Sequence, residues 1–94
     1  MTKDVPPDVR ERLSAEYPGE TYFEALRLVE SLNLDDRVLR AVVFLAGGEL
    51  EGIHRYARCA ERDWRDVIFW AEYEDHESEH PRQVRSMAEP FSDS

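Results

Sequence analysis

Apolar and small side chains recur at steps of three and four residues between Leu50 and Ala71, and this spacing constrains the fold more than any other feature. The positions are Leu50, Ile53, Ala57, Ala60, Trp64, Val67 and Ala71. Because an α-helix completes a turn in 3.6 residues, these steps keep the side chains on one helical face. A β-strand would place them on both faces of a sheet. The segment is therefore predicted to be helical.

This segment allows two interpretations. Neither Gly nor Pro occurs between Ile53 and His80, so the segment from Leu50 to Ala71 could form a single helix of about 33 Å at a rise of 1.5 Å per residue. The run Asp63-Trp64-Arg65-Asp66, however, resembles the start of a new helix, with Asp63 as the N-cap and acidic residues in the first turn. We favour a break near residues 62–63, which gives two successive helices that share one core.

Two shorter helices are predicted near the N-terminus. The first runs from Asp8 to Glu16 and ends at Tyr17-Pro18-Gly19, because Pro cannot continue a helix and Gly favours a turn. The second begins at a capping box formed by Thr21 and Glu24 and ends near Asn33.

A third helix is predicted at the centre of the fold. Asp35 or Asp36 is its N-cap, and Gly47 is its C-cap in the left-handed conformation. Residues 38–46 are apolar on almost every side, which is typical of a helix covered by others. The alternative is a buried strand at residues 42–45, since four consecutive apolar residues fit either structure.

The composition changes after Glu74. Residues 75–94 are polar and acidic, and their sizeable apolar side chains are Val84, Met87 and Phe91. We expect a partly disordered, loosely attached acidic tail with at most one helical turn, at residues 82–88. The prediction is therefore an all-α fold: one bundle of four to five short helices over residues 1–74, with an extended arm at residues 1–7.

Charge and cysteine content narrow the classes of function. The net charge of −9 is divided into −3 over residues 1–34, −1 over residues 35–70 and −5 over residues 71–94. This balance argues against a nucleic-acid partner. The single Cys59 cannot form an internal disulfide, and the apolar run at residues 41–46 is far shorter than the ~20 residues of a membrane span. We expect a cytoplasmic protein with no membrane association and no cofactor.

The sharpest chemical motif is His76-Glu77-Ser78-Glu79-His80, which matches the H-E-x-x-H pattern of zinc metalloproteases. Its position in an acidic tail, directly before Pro81, argues against a catalytic zinc site, because the residue before a proline avoids the helical region. We favour a solvated tail without a site. The alternatives are adventitious metal binding through His76 and His80, or a metal-dependent hydrolase.

A stripe of arginines follows the same helical segment. Arg55, Arg58, Arg62 and Arg65 lie together on a face about 120° from the apolar one if the helix is unbroken. Arg suits the recognition of carboxylates and phosphates. The simpler interpretation is a solvated face with ion pairs one turn apart, from residue 51 to 55 and from 62 to 66.

Aromatic residues lie on more helical faces than one small core readily absorbs. Phe69, Trp70 and Tyr73 point away from the main apolar face. They either pack into the core under other helices or, if no helix covers them, form an exposed patch of the kind that binds partners. We therefore predict a non-enzymatic helical interaction module that binds a protein partner or self-associates through these aromatics and the arginine stripe. The alternatives are an acidic regulator or decoy of a basic partner, acting through residues 72–79, and the metal-dependent hydrolase.

Overall fold

Four helices and a two-stranded antiparallel sheet make up residues 5–74 and 76–91, which the computed structural model describes. The elements are α1 (Pro7–Glu16), α2 (Glu20–Ser31), α3 (Asp36–Ala46), α4 (Leu50–Glu72), β1 (Tyr73–Glu74) and β2 (Arg82–Gln83), with Tyr73 opposite Gln83 and Glu74 opposite Arg82. The predicted helical fold is confirmed, but the small sheet corrects its assignment as all-α. Most of the predicted arm and the last three residues of the predicted tail lie outside the described residues.

The first two helices lie close to their predicted positions, although the local signals differ. α1 begins at Pro7, whose missing N–H is no loss in a first turn. Gly19, with φ of 64°, precedes α2 directly, so that helix begins at Glu20. The predicted capping box is wrong because Thr21 already lies inside the helix, and the start of α2 has no side-chain cap in the described structure.

α3 is the central helix of the core. Its buried apolar residues are Val38, Leu39, Ala41, Val42, Val43 and Ala46. The helix is continuous across residues 42–45, so the alternative of a buried strand is wrong. Asp35 occupies the N-cap position and Gly47 has the left-handed C-cap conformation (φ 58°, ψ 36°), as predicted.

α4 packs against α3 at short range. A Cβ atom built on Gly52 would lie 2.8 Å from the Cα atom of Ala46 and 2.9 Å from its carbonyl oxygen. The missing side chain of Gly52 therefore allows the two backbones to approach. Most of the predicted apolar face of α4 is buried, namely Ile53, Ala57, Ala60, Val67 and Ala71.

Residues 82–91, termed the return segment, run back across α1, α3 and α4. The N–H groups of Val84 and Arg85 donate to the carbonyl of Glu72 at 2.8 and 3.3 Å. The side chain of Met87 is buried and joins the core. The predicted helical turn at residues 82–88 is wrong, because a strand and a non-helical turn occupy this stretch. The loose attachment of the tail in solution stays a prediction.

Arginine–aromatic contacts also fix the return segment. The guanidinium of Arg12 lies 4.7 Å from the ring centre of Phe91 and 5.7 Å from that of Phe44. The guanidinium of Arg85 lies 4.6 Å from the ring centre of Phe44. Because a cation over an aromatic face is attracted by the ring quadrupole, these contacts link α1 and α3 to the end of the chain.

Candidate functional site

α4 bends sharply at Asp63, where the sequence predicts the start of a new helix. The backbone of Asp63 (φ −156°, ψ 98°) is not helical, and its Oδ1 accepts a hydrogen bond from the N–H of Arg65 at 3.1 Å, as an N-cap does. The ring centres of Tyr56 and Trp70 lie 6.4 Å apart, whereas fourteen residues of straight helix span about 21 Å. The predicted break is confirmed, and the two arms, residues 50–62 and 64–72, fold towards each other.

Three arginines line the exposed side of the first arm. Arg55, Arg58 and Arg62 are exposed, and none of them forms an ion pair or a side-chain hydrogen bond with a described residue. These three residues are termed the arginine face. Between their side chains runs a shallow furrow of about 520 Å³, also bordered by Glu51, His54 and Cys59. The furrow is open to solvent and carries a local excess of positive charge.

The ion pairs expected along this stripe do not form within the described part of the chain. Glu51 does not reach Arg55, and Asp66 does not reach Arg62. The fourth predicted contact residue, Arg65, lies beyond the bend and donates from Nε to Asp63 Oδ1 at 3.1 Å. The bend therefore separates Arg65 from the other three arginines and gives it a partner of its own.

Phe69, Trp70 and Tyr73 differ in their surroundings. Phe69 and Tyr73 are half-buried and stack with ring centres 5.3 Å apart. The ring of His76 lies 5.0 Å from that of Phe69, and its Nε2 contacts the carbonyl of Tyr73. Trp70 is 37% exposed and meets Tyr56 edge-on. Of the three predicted contact residues, Trp70 has the most accessible ring.

The H-E-x-x-H motif lies in the turn between β1 and β2 rather than on a helix. A shared metal needs His76 and His80 on one helical face, and the turn removes that geometry. The backbone N–H of His80 instead donates to the hydroxyl of Ser78 at 3.2 Å. No group of three or more metal-binding side chains is assembled anywhere in residues 5–74 and 76–91. The spacing argument for a metal at His76 and His80 does not hold in this turn.

Residues 76–80, termed the acidic turn, are exposed throughout. Glu77 and Glu79 form no ion pair with any residue that the structure describes. Trp70 borders the turn, because it lines a depression of about 600 Å³ together with His76, Glu77 and Ser78. The most accessible predicted aromatic and the acidic turn thus belong to one continuous surface.

An apolar groove beside the bend was not predicted from the sequence. It measures about 450 Å³, and its apolar lining is Leu34, Val38, Ala60, Trp64 and Ile68. Trp64 is 52% exposed at its edge, although the helical spacing placed it on the buried face. The bend at Asp63 explains the difference, because a residue directly after a break need not continue the preceding face. The predicted break was the one signal that could have identified this groove.

Two carboxylates, of Glu72 and Asp8, hold the return segment in place. The fully buried Glu72 accepts two hydrogen bonds from the guanidinium of Arg37 at 2.9 and 2.7 Å. It accepts two more, from the side-chain amide of Gln83 at 3.1 Å and from the N–H of Met87 at 2.8 Å. Burial raises the pKa of the Glu72 carboxyl, but the hydrogen bonds from Arg37 and Met87 outweigh it and keep that pKa below its usual value.

A second ion pair, between Arg40 and Asp8, binds the carbonyl of Met87. The guanidinium of Arg40, which is 7% exposed, donates to both carboxylate oxygens of Asp8, at 2.9 and 3.2 Å, and to the carbonyl of Met87 at 3.3 Å. Asp8 also accepts the N–H of Phe91 at 3.1 Å. Burial raises the pKa of the Asp8 carboxyl, whereas the bonds from Arg40 and Phe91 lower it, and the net shift is downward.

The two ion pairs, Glu72 with Arg37 and Asp8 with Arg40, are termed the charge clamp. They bind the N–H and the carbonyl of the same residue, Met87, and so fix the path of the return segment. The guanidinium groups and carboxylates of these four residues are hydrogen-bonded to one another. The clamp therefore supports the structure and leaves the exposed arginine face, acidic turn and tryptophans as the candidate functional surface.

Comparison of the chain with protein-family models, with curated proteins and with solved structures finds no match. Within the described residues, none of the helices is long and apolar enough to cross a membrane. The chemistry of the exposed surface is thus the basis for inferring a function.

Proposed function

We propose that this protein is a non-enzymatic helical interaction module that self-associates through the surface around the bend of α4. The exposure of both tryptophans of the chain carries this proposal: Trp64 is 52% exposed and Trp70 is 37% exposed. Tryptophan is highly buried on average and is enriched among the residues that dominate binding energy. Two exposed indoles on the second arm, one directly after the bend and one bordering the acidic turn, therefore favour a binding role.

The neighbourhood of each tryptophan supports self-association. Trp64 stands at the edge of an apolar groove, so this surface offers both a projecting ring and a place for one, as a two-fold symmetric contact requires. A standard interface buries about 800 Å² per partner, roughly one eighth of the 6416 Å² surface. The most suggestive catalytic motif lies in an exposed turn, which favours binding over catalysis.

Sedimentation equilibrium over a micromolar concentration series tests the proposal. We expect the mass of the wild-type protein to rise with concentration from 11.0 kDa towards twice that value. The double variant Trp64→Ala/Trp70→Ala should need at least about tenfold higher concentration to associate, because removing a dominant interface residue costs about 2 kcal/mol or more.

Phe23→Ala is the matched control. Phe23 is 63% exposed on α2 and lines neither the groove beside Trp64 nor the depression beside Trp70, so its loss should leave association unchanged. Far-UV circular dichroism checks that each variant keeps its helices. A mass that stays at 11.0 kDa at every concentration, or an equal effect of Phe23→Ala, would contradict self-association through this surface.

A further inference from the structure

We infer that the arginine face of one copy binds the acidic turn of a second copy. This pairing rests on the proposed self-association and identifies its polar contact. The binding site is Arg55, Arg58 and Arg62, and its occupant is the exposed segment around Glu77 and Glu79.

The arginine face has the properties of an incomplete ion-pair site. The chain holds 21 acidic and 12 basic residues, so acidic groups are plentiful. Arg55, Arg58 and Arg62 nevertheless stand side by side without an ion pair to any residue in the described part of the chain. Three guanidinium groups on successive helical turns concentrate positive potential at one place on an acidic molecule. Guanidinium groups match carboxylates geometrically and bind them with two parallel hydrogen bonds.

The acidic turn complements this face in charge and in spacing. Glu77 and Glu79 are exposed and lack ion-pair partners among the described residues. Being two residues apart, their Cα atoms can be separated by up to about 7 Å. Arg58 and Arg62 are one helical turn apart, a rise of about 6 Å. Two carboxylates of the turn can therefore face two guanidinium groups at the same time.

A second copy fits this site better than the turn of the same copy. His76 anchors its own turn to the second arm through Phe69 and Tyr73. No ion pair joins the turn to the arginine face within the described chain. Because Trp70 borders the turn, the same docking brings this indole against the partner's α4, where an arginine side chain can stack on it.

Reciprocal charge reversal tests the pairing by sedimentation equilibrium at about 0.15 M salt, where exposed charges more than about 8 Å apart are largely screened. Arg58→Glu/Arg62→Glu and Glu77→Arg/Glu79→Arg should each raise the dissociation constant about tenfold or more, since like charges then oppose each other. An equimolar mixture of the two variants should associate again, because the reversed face of the first variant meets the reversed turn of the second. The intact face of the second variant then meets the intact turn of the first. Salt at about 1 M should weaken the wild-type dimer, since the screening length falls to about 3 Å.

The control variant Arg10→Glu/Arg27→Glu lowers the net charge by the same amount as Arg58→Glu/Arg62→Glu, at two exposed arginines on α1 and α2. It should leave the dissociation constant within about threefold of wild type, as expected for charges far from the contact. Three results would overturn the pairing but not self-association: both reversals leave the dissociation constant unchanged, the control raises it as much as they do, or the mixture of the two variants does not associate. A strictly monomeric wild type overturns both.

Discussion

Replacing Glu72 by Gln should destabilise the fold by about 3 kcal/mol. Removing one partner of a buried ion pair costs about 3–5 kcal/mol, because the remaining charge loses its compensation. The carboxylate of Glu72 is fully buried, whereas the side chain of Arg37 is 42% exposed and can be rehydrated. This exposure places the cost at the lower end of the range. The glutamine amide would also direct an N–H₂ group towards donors that now bind carboxylate oxygens, including the N–H of Met87.

Urea unfolding followed by far-UV circular dichroism measures this cost. With a denaturant dependence of about 1–1.5 kcal/mol per molar urea for a domain of this size, the midpoint should fall by about 2–3 M. Glu74→Gln is the matched control, because Glu74 is exposed and lies 3.9 Å from Arg82. Its loss should change the free energy of unfolding by less than about 0.5 kcal/mol. If Glu72→Gln were no more destabilising than Glu74→Gln, the structural role of the charge clamp would be refuted.

Three further predictions concern the pH dependence of stability, the helix contact at Gly52 and the N-cap at Asp63. The pKa values of Asp8 and Glu72 are lower in the folded than in the unfolded protein. The stability that these two carboxylates contribute is therefore present above about pH 4 and is lost as the pH falls through their folded-state pKa values. A urea midpoint that does not fall between about pH 6 and pH 3 would contradict this. Gly52→Ala should lower the free energy of unfolding by about 1–3 kcal/mol, because the new Cβ would lie 2.8 Å from the Cα atom of Ala46. Thermal unfolding measures this loss, and an unchanged melting temperature would argue against the close helix approach. Asp63→Ala should lower the free energy of unfolding by about 1 kcal/mol through loss of the N-cap, whereas Asp63→Asn should lower it much less.

Some features that depend on nearby residues were predictable from the sequence, whereas the capping box at Thr21 and Glu24 was predicted wrongly. The spacing of Ile53, Ala57 and Ala60 identifies a buried helical face because the helical period alone brings these side chains together. Asp63 identifies the break because its side chain needs to reach only the N–H of Arg65. The exposed arginine face also follows from helical spacing.

Features that depend on distant residues were not predictable. Arg37 and Glu72 are 35 positions apart, and Arg40 and Asp8 are 32 positions apart. Many carboxylates are available to each arginine, and the charge pattern does not select among them. Without these pairs, the burial of Met87 within the polar C-terminal stretch could not be inferred from the composition of that stretch.

The exposed surface beside the bend was predictable only in part. The sequence identifies where α4 breaks but not the direction in which the second arm turns. That direction removes Trp64 from the buried face and separates Arg65 from the arginine face. It also brings Trp70 to within 6.4 Å of Tyr56. Only the relative orientation of the two arms determines which aromatic side chains remain accessible.

Amide NMR spectra of isotope-labelled wild-type protein, recorded over a dilution series at low salt, test the central claim most directly. We predict concentration-dependent shifts at the arginine face, at residues 76–80 and at the indole N–H of Trp70, with Phe23 unaffected. Such shifts would locate the contact between two copies on the surfaces proposed for it. Spectra that do not change with concentration, or changes confined to α1 and α2, would contradict it.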